Sequence, residues 1–368
     1  MIDVSHYLLN EHHTKDILNE LLNGKKSTSI NLSAKNLKSI PRNISLFKDL
    51  KYLDFSINYL TDVCVLPDSL KYVILNFNKL VKLPEHFFEL KNIEIIQLKY
   101  NNLSDVSELI EKLTKLTIID ISFNKIESLP CTISKLINLK YINISGNKLT
   151  DFPYRCKDLI NLKELDLCNN YIVNIEPICE INNLEYLHLR NNKISEITNN
   201  IGNLKNLICL NLSRNNISNL PKEIIKCEKL KELCLSLNQI TNFDLICGIK
   251  AIMFLYIDNN QISGIPDNIS NLENLEELVL SSNNISFLPK SLINCKNLLK
   301  LDLRDNKIIY IPNELLEMLS TLRYLNLKGN DFLNINDIEN INFVKKLKEI
   351  MNDRLEIDCN NINIKTNE

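Results

Sequence analysis

Tryptophan is absent from this chain, and glycine occurs only six times in 368 residues. So few glycines argue against loops that cradle phosphates through backbone amides. No Walker loop, no G-x-G-x-x-G and no G-x-S-x-G occurs. The five histidines (6, 12, 13, 86 and 188) are scattered, with no H-E-x-x-H and no metal-ligand spacing. Net charge is only −2, too close to neutral for a surface built to neutralise nucleic-acid phosphates. No apolar run approaches the roughly 18–20 residues that span a bilayer. The opening stretch MIDVSHYLLNEHHTKDILNE also lacks a basic region followed by a long apolar run, so it does not read as a signal peptide. None of the eleven cysteines form C-x-x-C pairs. These absences point to a cytoplasmic protein, with the nucleus left open, that holds no metal or cofactor, avoids nucleic acid and does not insert into membranes.

What the chain has in excess is asparagine, 56 residues of it. Many fall in one frame. The stretch LKYINISGNKLTDFP (139–153) returns 23 residues later as LKELDLCNNYIVNIEP (162–177). Aligned on L-x-x-L-x-L-x-x-N-x-L, asparagine recurs at 58, 78, 101, 124, 147, 170, 192, 215, 238, 260, 283, 306 and 330, spaced 20 to 24 apart. An earlier unit, INLSAKNLKSIP, has Lys35 in the asparagine slot, where a first coil would face solvent. The frame gives fourteen units over residues 27–335. Sustained self-similarity of this period is the mark of a solenoid.

Each position in the frame has a physical task. The L-x-L pair alternates as a strand does, leucines inward and the intervening residue outward. Beyond the strand the chain turns inward and strands backbone N–H and C=O groups. An inward asparagine amide, with one acceptor and two donors, satisfies them in its own and neighbouring coils. Eight of the ten prolines stand six residues after the ladder position (41, 84, 130, 153, 221, 266, 289 and 312), where a fixed φ suits the start of a helical turn. Units after Asn101, Asn192, Asn238 and Asn330 lack that proline, and SDVSELIEKLTKL there predicts a fuller helix. A lone unit cannot fold, so neighbours must stabilise one another and the ends need covers. TKDILNELLNG predicts a helical cap within residues 1–26, with Thr14 as N-cap, Ile17, Leu18, Leu21 and Leu22 inward and Gly24 as stop. Ile338, Ile341, Val344, Leu347 and Met351 form one face of a closing helix over 336–352, and 353–368 reads as a tail.

Over more than four-fifths of its length the chain resembles the leucine-rich repeat family. The 23-residue units with L-P after the asparagine look like the intracellular Ras-group type. The 22-residue units, such as YIVNIEPICEINNLEYLHLRNN, look more like phosphatase-1-regulatory repeats. The resemblance implies an α/β solenoid: a right-handed horseshoe with a parallel sheet on its concave face and short helices and turns on the convex one. It also implies a monomeric, non-catalytic scaffold in signalling, whose partner is a small GTPase, its effector or a phosphatase catalytic subunit. A targeting module of an enzyme complex is the alternative of another class. No R/K-V-x-F docking sequence of the phosphatase kind occurs.

The search for chemistry returns core residues instead. Cys156, Cys179 and Cys247 stand where other units have Ile133, Ile224 and Leu292, and Cys227 and Cys295 take the slot of Leu136. Cys209 and Cys234 fall on the concave side of adjacent strands but two rows apart. One carboxylate per unit (Asp54, Asp120, Asp166, Asp302) reads as a solvated face. The concave surface is more informative. Three adjacent units place Tyr72, Ile74 and Phe77, then Ile95 and Tyr100, then Ile118 and Phe123 on it. The aromatic before each ladder asparagine can be a half-buried filler, but isoleucines beside them make an apolar patch. A second zone combines Tyr186, His188, Arg190, Arg214, Phe254 and Tyr256, residue types that dominate interfaces.

Overall fold

Asn147 ties its coil to the one before. Its Nδ2 donates to the Ile144 carbonyl in its own coil and to Ile121 in the preceding one, both at 3.0 Å. Its Oδ1 accepts the N–H of Ile126 at 2.9 Å. The same set of bonds recurs at Asn170 and, further along, at Asn215 and Asn283. These amides are buried. Lys35 departs from the expectation: at 5% exposure it is buried, not solvent-facing. The slot lies inside the coil whichever residue fills it, and a lysine's aliphatic stem tolerates enclosure. Its coil is served by Asn58, whose Oδ1 accepts from the N–H of Lys35 (3.1 Å) and Leu37 (2.9 Å).

The computed structural model describes residues 2–3, 27–330 and 338–357. The chain divides into two units, Met1–Leu187 and His188–Glu368. In the first, short strands run parallel in chain order: Ile2–Asp3, Ser29–Asn31, Tyr52–Asp54, Tyr72–Ile74, Ile95–Gln97, Ile118–Asp120, Tyr141–Asn143 and Glu164–Asp166. In the second, Cys209–Asn211, Glu232–Cys234, Phe254–Tyr256, Glu277–Val279, Lys300–Asp302, Tyr324–Asn326 and Leu355–Glu356 do the same. The central residue of each repeat strand points inward: Leu53, Val73, Ile96, Ile119, Leu233 and Leu278 are all at most 2% exposed. Residues on either side of it face the other way and are mostly half-buried, with Cys209 and Cys234 buried.

Behind most strands the chain makes a single 3₁₀ turn; before Tyr324–Asn326 it makes an α-helix, Leu315–Thr321. Pro41, Pro84, Pro130, Pro221, Pro266 and Pro289 each stand at the N-cap, with φ between −61° and −73°. Their carbonyls accept the first bond of the turn, as Pro84 does from Phe87 (3.0 Å). The proline-free units do not form the fuller helices expected. Glu108–Lys112 and Asn199–Asn203 are 3₁₀ turns of the same five residues, and Ile246–Gly248 is shorter. Ser107 and Thr198 cap the first two by accepting an N–H at 3.2 Å, so a hydroxyl replaces the proline without lengthening the turn. The stretch after Asn330 falls mostly outside the described residues.

The sheet edges are covered by extra strands. Ile2–Asp3 pairs with Ile30 and Asn31, while the cap helix expected around 14–24 lies outside the described residues. At the far end Ile338–Met351 is an α-helix with Val344, Leu347 and Met351 buried. Arg354 closes it, donating to the carbonyls of Ile350 (2.9 Å), Met351 (3.2 Å) and Leu322 (2.8 Å). Leu355–Glu356 then pairs with Leu325 and Asn326, so ordered structure runs into the stretch read as a tail.

Asn147→Ala should destabilise the protein by about 1–3 kcal/mol, because buried backbone groups lose their partner. Asn102→Ala, whose side chain is not part of the ladder, should stay within about 0.5 kcal/mol. Urea melts that fail to separate the two variants would overturn the ladder's role.

Candidate functional site

The outward residues of the first unit sort into rows because the strands are in register. Tyr52, Tyr72, Ile95, Ile118 and Tyr141 stand opposite one another on five successive strands, all half-buried. The sequence reading picks out the middle three. Tyr52 and Tyr141 extend the row at both ends, and the signal was there, since both occupy the same frame position. Tyr52 lies 6.4 Å from Tyr72, ring to ring. Burial raises the phenol pKa of Tyr52 and Tyr141 above the ordinary value.

The next outward row has a structural duty at most positions. Asn31, Asp54, Asp120, Asn143 and Asp166 each accept the N–H two residues on, at 2.8–3.0 Å, which turns the chain out of its strand. Asp302 does the same in the second unit. The recurring carboxylates are therefore turn residues as well as surface ones. Ile74 sits in this row and cannot accept such a bond. Gln97, opposite it, leaves its own turn bond to Asn76, which accepts the Lys99 N–H (2.8 Å) and donates to Gln97 (3.0 Å). Nothing in the backbone demands an isoleucine at 74.

The residue before each ladder asparagine adopts a left-handed conformation. Asn169, Asn191, Asn259 and Gly146 are types that tolerate it. Ile57, Phe77, Tyr100 and Phe123 are not, yet they hold φ of 57°, 55°, 54° and 52° on four successive coils. An ordinary side chain is strained there by roughly 1–2 kcal/mol. Part is recovered by stacking: Phe77 and Tyr100 centroids lie 4.7 Å apart, Tyr100 and Phe123 4.4 Å, with planes within 19°. Phe77, Tyr100 and Phe123 are 48%, 41% and 37% exposed. Lys99 holds its ammonium 5.4 Å from the Tyr100 ring and 5.3 Å from Phe123. Gly146 ends the column, since a Cβ there would stand 2.7 Å from Phe123.

The second zone is not brought together in this way. Tyr186 belongs to the first unit and is 38% exposed. In the second unit, two strands (Cys209–Asn211 and Glu232–Cys234) separate His188 from Phe254 and Tyr256. Phe254 stands between Glu232 and Glu277, and the Tyr256 hydroxyl donates to Glu277 (3.2 Å). Burial, with Glu277 beside it, pushes the Tyr256 phenol well up. Arg190 and Arg214 are exposed, Arg214 in the left-handed turn position rather than on a strand.

Among the described residues no cluster of histidine, cysteine or carboxylate side chains could hold a metal. Cys156, Cys179, Cys227, Cys247 and Cys295 are at most 1% exposed, as core replacements should be. Burial pushes the Cys156 thiol up to about 12 and Cys227 up to about 11. Among the described residues no helix is long and apolar enough to cross a membrane.

Family profiles agree with this repeat geometry. The profile described as leucine rich repeat matches residues 68–126, 250–308 and 273–332. A leucine-rich repeat region profile matches 168–250, and one for two leucine-rich repeat copies matches 114–160. The chain is a leucine-rich repeat protein. Its fold class is the α/β solenoid of that family, and leucine-rich repeats generally mediate protein–protein interaction without catalysis. Among solved structures, a leucine-rich repeat protein of Leptospira interrogans superposes with a TM-score of 0.81 at 29% identity, covering 89% of this chain and 83% of its own. An internalin of Listeria monocytogenes gives 0.71 at 23% identity, covering 84% and 88%. The plant peptide hormone receptor RGFR1, solved in complex with RGF2, gives 0.62 at 24%, covering 82% and 59%. No curated protein matches the chain.

Two predictions arise here. Gly146→Ala should cost about 1–2 kcal/mol from backbone strain alone, with a further penalty from the Phe123 ring. In a Phe123→Ala background that further penalty should vanish, a coupling of about 0.5 kcal/mol or more in a double-mutant cycle. Separately, iodoacetamide at pH 8 should label exposed Cys131 in the native protein. It should spare the five core cysteines until the chain unfolds, as peptide mapping would record.

Proposed function

We propose that this leucine-rich repeat protein is a non-catalytic scaffold that binds a protein partner on the outward sheet face of its first unit. The observation that carries the reading is the joint presence of the Tyr72–Ile95–Ile118 row and the Phe77–Tyr100–Phe123 column on neighbouring coils. Nothing in the fold requires either. The column strains the backbone, and Ile74 forgoes a turn bond that five neighbouring coils make. Exposed, contiguous apolar surface that works against local stability is the pattern of an interaction site. The family's general role supports the reading, and so does the receptor solved with RGF2. The second zone, dispersed and partly engaged with Glu277, is the weaker candidate.

The finer assignment rests on repeat lengths. We infer a signalling partner, a small GTPase or its effector, with a serine/threonine phosphatase catalytic subunit as the second candidate. Cysteines used as buried core residues suit a reducing compartment, hence the cytoplasm or nucleus. A monomer with a helical cap within 1–26 and a closing helix over 336–352 completes the proposal.

Ile74→Lys with Ile95→Lys should abolish capture of the partner, a loss of a hundredfold or more in affinity if both are hot spots. Both side chains point outward, so the melting curve should be unchanged. Glu164→Ala, on the same face outside the patch, is the control, because Asp166 has a bond to the Cys168 N–H to lose. Capture is run against lysate and against purified GTP-loaded small GTPases and phosphatase catalytic subunit. A double variant that keeps every partner of the wild type would sink the reading.

A further inference from the structure

Along its stacked length the aromatic column presents edges, not faces. Each interior ring face is covered: Phe77 and Phe123 lie against Tyr100, and the outer side of Phe123 lies over Gly146. A nucleobase or another flat ring therefore finds no open face between them. What remains exposed between these faces is ring edge, the electropositive part of an aromatic quadrupole.

Cations line the same coils. Lys99 rests against Tyr100 and Phe123, Lys79 holds its ammonium 4.9 Å from the Tyr59 ring, and Lys125 is exposed just after ladder Asn124. Among the described residues none of these three forms an ion pair. Other lysines of the first unit do: Lys71 with Glu94, Lys112 with Glu89, Lys135 with Glu111, Lys148 with Glu127 and Lys163 with Glu185. Of the carboxylates nearest the column along the chain, Asp120 accepts the Ser122 N–H, Asp105 accepts the Ser104 hydroxyl and Glu127 pairs with Lys148. Lys79, Lys99 and Lys125 thus put positive charge without an ion pair on the column's coils.

We propose that this surface receives an extended acidic segment of the partner protein. Its carboxylates lie along Lys79, Lys99, Lys125 and the ring edges, and its bulky apolar side chains lie on Tyr72, Ile95 and Ile118. The proposal rests on the first-unit reading above and adds the partner's chemistry. Charge complementarity selects it over a basic or neutral segment, and the covered ring faces disfavour single-stranded nucleic acid. Because Lys79 and Lys125 are exposed and Lys99 is only half-buried, binding weakens as salt rises.

The test is selection of a random dodecapeptide phage library on the intact chain, with oligo(dT) as a second probe. Enriched peptides should be rich in Asp and Glu and carry aromatic or branched aliphatic anchors. Lys99→Glu with Lys125→Glu should weaken them at least tenfold and turn a repeat selection toward basic peptides. Lys296→Glu, on the second unit, should change nothing. Circular dichroism melts verify that the variants are folded. Peptides without acidic bias that are lost in Ile74→Lys/Ile95→Lys but indifferent to the lysine reversals would overturn the acidic-segment proposal and leave the first-unit reading standing. Peptides indifferent to both sets of variants would remove both. A library that yields no binder, or oligo(dT) that outcompetes every selected peptide, would also overturn the proposal.

Discussion

Every coil depends on an amide that serves two coils at once. The side chain of Asn147 has three hydrogen-bonding sites to offer and uses them on Ile144, Ile121 and Ile126. Two of the three partners belong to the preceding coil. The turn out of each strand is therefore stable only when its neighbour is in place, and the same bond that completes one unit orders the next. The leucine core supplies most of the burial, but it is non-directional. The amide sets the stagger between coils, and with it the register that aligns outward residues into rows.

Because the backbone is fixed in this way, the outward positions are released from structural duty to different degrees. The second outward row is mostly committed to turning the chain, through Asp54, Asp120 and Asp166. The first row is free, and it is there that Tyr52, Tyr72, Ile95, Ile118 and Tyr141 stand. The left-handed turn position lies between these cases. It favours asparagine or glycine, and five coils of the first unit override that preference, with Ala34 and with the bulky Ile57, Phe77, Tyr100 and Phe123. Surface chemistry is written most strongly where the scaffold makes it hardest to write.

Much of this was readable from the chain. The ladder asparagines, the inward leucines, the proline-led turns and the core cysteines all follow from one frame, because each is a local consequence of period. What escaped the reading depended on enclosure and direction. Lys35 looks like a solvent-facing residue until the slot is seen to close around it. SDVSELIEKLTKL has helical composition, but this coil returns to the next strand through a 3₁₀ turn capped by Ser107, whereas Leu315–Thr321 is an α-helix. The aromatics before Asn78, Asn101 and Asn124 are plain in the sequence. Their stacking is not, since it requires knowing that their φ is positive. His188, Phe254 and Tyr256 seem neighbours by residue type, yet two strands stand between the first and the other two.

Gly146 gives the column a further property. A ring at its position would need both a new side chain and a displaced Phe123, so the glycine acts as a stop, and the column's length is set by how many ring-bearing units precede it. Those units carry their own asparagine and leucines. Copying one of them by unequal recombination upstream of Gly146 would lengthen the aromatic strip by one step and supply the interior that supports it. Reach and scaffold are thus inherited as one segment of about 23 residues, so the binding footprint can be resized without redesigning the core.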